Sequence, residues 1–137
     1  MTSPTQRTLA EARKLGMTVQ VVERWNQFAH VRVDLFSVID IVAMMPGIGI
    51  MGIQACARSS HAARRTKCLH EPKLRTWLES GGKFEVWSWA RMGKAGCRKL
   101  WQCWREEIRV ADMLAESPEP TALTDLPPCG DEDIILP

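Results

Sequence analysis

No lysine or arginine follows Arg109 in this chain of 137 residues, no two of its five cysteines stand in a C-x-x-C pair, and no apolar run is long enough to span a bilayer. The odd cysteine number and the missing C-x-x-C argue against a closed disulfide framework and against zinc-finger spacing. A reducing cytoplasm is the expected compartment. The N-terminal MTSPTQRTLAEARK lacks the apolar core of a signal peptide, and the apolar segment from Ile41 to Ile53 is broken by Pro46, Gly47, Gly49 and Gly52. No segment is expected to enter a membrane.

The missing C-terminal cations divide the molecule. Residues 1–109 hold all 18 Lys and Arg against 9 Asp and Glu, a net of +9; residues 110–137 hold 7 acids and no Lys or Arg, a net of −7. From Ser117 onward there are five prolines in 21 residues and no aromatic residue, the composition of a tail that does not pack. The chain is therefore expected to form one domain over 1–109, followed by an acidic, Pro-rich, disordered segment over 110–137. With 45% hydrophobic residues, a chain of this length can bury roughly two thirds of its unfolded surface without covalent staples.

Periodicity suggests the elements. Ser3 is a polar cap before Leu9, Ala12 and Leu15 at helical spacing, with Gly16 as the stop. MTVQVVERW and the segment Val31–Met45 read as strands, and Ile48–Ala57 as a buried strand whose Gly49 and Gly52 permit close backbone approach. Ser59 caps a helix reaching Leu69, a second helix runs from Pro72 to Glu79, and Ala62, Ala63, Leu69, Leu74, Trp77 and Leu78 are expected to face a sheet. The segment Lys83–Ala90 fits a strand covered on both faces, and Leu100–Ile108 suits either a strand or a short helix. The order helix, three strands, helix, strand predicts an α/β domain with a central mixed sheet flanked by helices.

Two polar residues interrupt the apolar strands. Asp40 lies within the run Phe36–Met45, where a carboxylate stays ionised only beside a metal ion, a cation or several hydrogen-bond donors; the alternatives are a turn cap or an arginine pair. Asp34, six residues earlier, shares its face if the strand is continuous, although Ser37 can mark a bend. Clustered carboxylates suit Mg²⁺, whose chemistry includes activating water for phosphodiester attack. Gln54 is the second such residue, with Cys56 two positions on along the same face.

The segment 58–75 carries Arg58, Arg64, Arg65, Lys67, Lys73 and Arg75 against the single acid Glu71, with His61 and His70 as further donors. Lys94, Arg98 and Lys99 belong to a second basic stretch interleaved with Trp87, Trp89, Trp101 and Trp104, which can stack on unpaired bases or fill a core. Nucleic acid is the partner that this pattern suggests. Zinc held by His61, Cys68 and His70, or by Cys97 and Cys103, is disfavoured because the spacing matches no structural knuckle and no fourth ligand is evident.

The ordered set ERWN, DLFSVIDIVAM, GIQACARSSHAARRTK and WLESGGKFEVWSW resembles the PD-(D/E)xK nuclease superfamily, in particular small phage and prophage proteins related to Holliday-junction resolvases; it spans about Leu9 to Ile108. The resemblance implies a restriction-endonuclease-like core (α-β-β-β-α-β) and a DNA endonuclease dependent on Mg²⁺ or Mn²⁺. It places the aspartate of the motif on Asp40, the second acid on Gln54 and the lysine on Cys56. Glu11 on the first helix resembles the additional glutamate of resolvase-like members, and Glu23 is a second candidate for that role. The metal ligands it implies are Asp40, Gln54 and Glu11.

Cys56 cannot supply a cation; the resemblance, whose members can supply it from the following helix, implies Lys67 for that role, with Arg64 or Arg65 as alternatives. The expected DNA contacts are Arg58, His61, Arg64, Arg65, Lys67, Lys94, Arg98 and Lys99, and resolvase-like relatives suggest a homodimer. Two other readings stay open: a catalytically inactive DNA-binding protein of the same fold, and a phage protein that binds a host protein. No organic cofactor is implied.

An acidic tail beside a basic domain acts as a weak intramolecular DNA mimic if it folds back. Deleting Ser117–Pro137 is then expected to raise DNA affinity mainly at low salt, measured by titration at several salt concentrations. Unchanged affinity would leave the tail as a solubilising appendage.

Overall fold

The computed structural model describes residues 2–116; of the segment 110–137 expected to be disordered, Val110–Asp112 form a 3-10 turn and Met113 is buried in the core, and the part from Ser117 lies outside the described residues. Helix α1 (Pro4–Lys14) begins where Ser3 Oγ accepts the Gln6 N–H at 3.2 Å with Pro4 at the first helical position, and ends on Arg13 and Lys14, whose charge suits the C-terminal end of the helix dipole. Its buried face is Thr8, Leu9 and Ala12. Leu15, expected to complete that face, is the exposed C-cap residue. Thr8 occupies a core position because its hydroxyl accepts the Trp89 indole N–H at 2.9 Å.

The chain continues through β1 (Thr18–Val21), β2 (Arg24–Asn26), β3 (Val31–Val33), β4 (Ile41–Met45) and β5 (Gly49–Ala57). Helices α2 (His61–Leu69) and α3 (Pro72–Glu79) lead to β6 (Lys83–Met92) and β7 (Leu100–Glu107). Five strands form one sheet in the order β1-β4-β5-β6-β7. The pairs β1/β4, β4/β5 and β6/β7 are antiparallel, and β5/β6 is parallel across the α2–α3 crossover. A mixed sheet flanked by helices is thus present, and the undecided segment Leu100–Ile108 is a strand.

Alternation along β5 and β6 splits the core. Met51, Ile53, Ala55, Trp87 and Trp89 pack under α1 with Leu9 and Ala12, whereas Cys56, Phe84 and Val86 pack under α2 and α3 with Cys68, Leu69 and Leu74. Ala62 and Ala63 do not join that second layer; they are exposed on α2. Nor does a serine cap α2 as expected, since Arg58–Ser60 form a 3-10 turn and Ser60 makes no side-chain capping bond. Among the described residues, no helix is long and apolar enough to cross a membrane.

The largest departure concerns Val31–Met45, which is not one strand. Phe36 and Ser37 take positive φ values of 52° and 70°, and Leu35 and Ile39 exchange backbone hydrogen bonds of 2.9 Å in both directions, closing a tight loop between them. Val31–Val33 pairs instead with Arg24–Asn26 in a separate two-stranded ribbon, whose turn is fastened by Asn26 Oδ1 accepting from the N–H groups of Phe28 and Ala29. MTVQVVERW is divided in the same way, β1 staying with the sheet and β2 leaving for the ribbon.

Gly52 permits the close approach expected of it. A Cβ there would lie 2.7 Å from Cδ1 and 2.9 Å from Cγ1 of the fully buried Ile39. Gly52→Ala is therefore expected to cost about 1–3 kcal/mol of stability through overpacking, read as a lower thermal midpoint. An unchanged midpoint would show that Ile39 yields freely.

Candidate metal centre

Asp40 sits at the entry to β4 with its backbone paired on both sides: its carbonyl accepts the Val22 N–H at 2.9 Å and its N–H donates to Ile53 at 3.0 Å. The side chain is 4% exposed. Its Oδ2 accepts the Ala55 N–H at 3.0 Å and the Gln54 side-chain amide at 2.7 Å. The register of β4 on β5, which pairs Ile41 with Ile53, places Asp40 and Gln54 across from one another on one sheet face. Asp40 thus neither caps a turn nor pairs with an arginine. The amide orientation leaves Gln54 Oε1 buried and without a hydrogen-bond partner among the described residues.

The ribbon supplies two more acids. Arg24 pairs with Val33, so the next rung toward the sheet sets Glu23 opposite Asp34. The tight loop after Asp34 then returns the chain to Asp40, and carboxylate oxygens of Glu23, Asp34 and Asp40 all lie within 4.8 Å of one another. Like charges facing each other across a rung are destabilising unless a proton or a cation intervenes. Arg32, mostly exposed, offsets part of this charge through a 2.8 Å ion pair with Glu23.

Burial, reinforced by the hydrogen bond with Asp34 and the charges of Asp34 and Glu23, pushes the Asp40 carboxyl up to about 8, against the lowering effect of the Ala55 N–H. Without a cation, Asp40 is therefore a protonated acid over most of the neutral range. A divalent ion would replace that proton. The three carboxylates form an all-oxygen donor set, which fits Mg²⁺ or Mn²⁺ in kind, while Gln54 presents its amide N–H, not its oxygen, to Asp40.

These groups line a cavity of about 370 Å³ whose wall also contains Thr5 of α1 and Arg64 and Lys67 of α2. One turn of α2 separates the two cations, so both reach the same space. Arg65, the other cation considered for this role, is turned away into an ion pair with Glu106. Cys56 is 5% exposed, and burial pushes its thiol up despite the opposing effect of Arg64, so a neutral sulfur stands at that position.

Glu11 is not one of the three converging carboxylates; its charge acts instead on Cys103, whose thiol burial pushes up to about 12. Glu23 and Asp34 occupy the site along with Asp40. Both were visible in the sequence, as the acids flanking the ribbon segment, but a continuous second strand hid their pairing.

The remaining expected residues separate. His61 is buried, with Nδ1 2.6 Å from Ser88 Oγ and Nε2 2.7 Å from Glu106 Oε1, which withdraws it from any DNA-facing surface. Burial raises the Glu106 carboxyl, but hydrogen bonds from His61 and Arg65 outweigh it and hold the group below its usual value. His70 Nδ1 lies 2.9 Å from the Thr66 carbonyl and Cys68 is fully buried with its thiol up to about 12, so neither joins a metal cluster with His61. Arg58 lies over the Trp104 ring at 4.8 Å, and Lys94, Arg98 and Lys99 are exposed between β6 and β7. Comparisons with family models, curated proteins and solved structures returned no match.

The raised Asp40 value fixes a pH dependence. Between the ordinary carboxylate range and about 8 the folded protein holds a proton that the unfolded chain has released, so stability falls as pH rises through that window. The thermal midpoint of the metal-free protein is expected to decline from pH 5 to pH 8, and Mn²⁺ to stabilise more at pH 8 than at pH 6. Asp40→Asn should flatten both trends; a variant that retains them would place the titration elsewhere.

Proposed function

We propose that this domain is a metal-dependent DNA endonuclease of the restriction-endonuclease-like, PD-(D/E)xK type. The observation that carries the reading is the convergence of Glu23, Asp34 and Asp40 on a cavity that also receives Arg64 and Lys67. Carboxylates gathered to hold a cation, with guanidinium and ammonium groups beside them, suit an anionic substrate that gains charge during reaction, and a phosphodiester is such a substrate. The sheet supports the same reading: leaving the ribbon aside, α1 precedes three sheet strands, and a helical crossover precedes the parallel partner strand, as in the family core.

A bound divalent ion would supply Lewis-acid activation of water and charge stabilisation at the phosphate. The chain's own residues do the rest. Glu23, Asp34 and Asp40 form the donor set, and the Ala55 N–H and the Gln54 amide fix one Asp40 oxygen so that the carboxylate cannot turn. Lys67 and Arg64 face the non-bridging phosphate oxygens and offset the charge that builds on them, the task for which Cys56 is unsuited. Water adds to phosphorus and the bond to the leaving oxygen breaks, giving one phosphate end and one hydroxyl end. The surrounding basic surface, with Arg58, Lys94, Arg98 and Lys99, provides phosphate contacts without sequence information.

A second reading, a DNA-binding protein without turnover, is favoured by the neutral pair Gln54 and Cys56 along β5. Incubation with plasmid, branched and single-stranded DNA in Mg²⁺, Mn²⁺ or EDTA separates the two. Cleavage is expected with metal only, to vanish in Asp40→Ala, and to fall by roughly 100-fold in Lys67→Ala. Salt-dependent binding with no metal-dependent cleavage of any substrate would sink the nuclease reading in favour of the second.

A further inference from the structure

A second and larger cavity, about 990 Å³, opens beside the carboxylate centre between the start of α1, the turn after β5, and the β6–β7 hairpin. The two cavities share the same end of the sheet. Pro4 and Ala57 line the larger one, and their near neighbours Thr5 and Ala55 line the smaller. Ala55 and Ala57 are two residues apart on an extended strand, about 7 Å.

The wall of the larger cavity joins two chemistries. Arg7, Arg58 and Arg91 contribute three guanidinium groups, and no acidic residue lines the space. Five arginines, Arg32, Arg65, Arg75, Arg105 and Arg109, are held by carboxylates; these three, like Arg13, Arg24, Arg64 and Arg98, have no ion pair among the described residues. The apolar part includes Trp89, nearly buried and tied by its indole N–H to Thr8, and Trp101, 44% exposed with the Arg7 guanidinium stacked 3.5 Å from its ring centroid. Stacking on the indole pre-orders Arg7 while leaving the in-plane donors of its guanidinium for an anion.

Such a space matches a ligand that is anionic at one end and flat and apolar at the other. A base stacked inside a duplex cannot enter a concave pocket, but a base freed from its neighbours can lie against the Arg7 guanidinium on Trp101 with its phosphate on Arg58 or Arg91. We propose that this cavity receives an unpaired nucleotide adjoining the phosphate at the carboxylate centre, which directs the protein to single-stranded segments, flaps and branches in preference to uninterrupted duplex. The inference rests on the nuclease reading for its placement beside the reacting phosphate, and on the arginine and tryptophan lining for the ligand.

The test uses the full chain and labelled DNA in EDTA, so that binding is read without cleavage. A 12-nucleotide oligo-dT is expected to bind more tightly than a 12-base-pair duplex. Trp101→Leu and Arg91→Ala, checked for wild-type thermal midpoints, should each weaken oligo-dT binding by roughly tenfold and change duplex binding by less than about twofold. Poly-glutamate of equal charge should compete poorly.

Equal affinity for the two DNAs, equal losses on both, or competition by poly-glutamate as strong as by unlabelled oligo-dT would overturn the proposal. The Asp40→Asn variant keeps the two readings apart. A single-strand preference lost in Trp101→Leu but kept in a protein that never cleaves supports the pocket and defeats the nuclease reading. Cleavage that depends on Asp40 but treats duplex and single strand alike does the reverse.

Discussion

Asp40 places a carboxylate where water has almost no access, between the paired backbones of β1 and β5, and the arrangement around it compensates for that burial. The Ala55 N–H and the Gln54 amide each donate to one oxygen, which secures the side chain but does not keep it ionised at neutral pH. Glu23 and Asp34 add negative charge to a group already short of solvation. Such an assembly of three acids is an uneasy resting state, and its chemistry is completed by something positive. The cavity wall also carries Arg64 and Lys67, which share the space without an ion pair to these acids among the described residues.

That constraint explains features that otherwise seem unconnected. Gly52 must lack a side chain because Ile39 crowds it, and Ile39 is the residue that delivers Asp40 to β4. The positive φ values at Phe36 and Ser37 exist because the chain has to double back between Asp34 and Asp40. Arg65 and His61, on the same helix as the cavity-lining cations, are held by Glu106 on β7, which anchors α2 across the sheet and leaves Arg64 and Lys67 on the cavity side.

Much of this was legible in the residues. The helices, the buried strand Gly49–Ala57 and the strand beginning at Lys83 follow from caps, periodicity and glycine placement, and Asp40 stood out because it interrupts an apolar run. The ribbon was not legible. VRV followed by DLFSVIDIVAMM is rich in β-forming residues, and Asp34 and Ser37 only hint at a bend, so the choice between a single strand and two strands joined by a loop rests on the pairing of Arg24–Asn26 with Val31–Val33. The same blindness favoured Glu11 over Glu23, because the rung that sets Glu23 opposite Asp34 exists only once the ribbon has formed. His61 misled for a different reason: a histidine among arginines reads as another donor, and its partners Ser88 and Glu106 lie far along the chain.

The three acids fall within residues 23–40, with Arg32 paired to Glu23 among them, whereas Arg64 and Lys67 come from the helix that follows β5. Bringing the acids together requires the ribbon and the β1, β4 and β5 meander, in which Val21 pairs with Ile41 and Arg24 with Val33. Seating Arg64 and Lys67 requires the helical crossover between the parallel strands β5 and β6. The acids and Arg32 are therefore set by the ribbon and the antiparallel half of the sheet, and Arg64 and Lys67 by the crossover, so a cation held by the acids would tie the ribbon to the sheet without calling on the crossover.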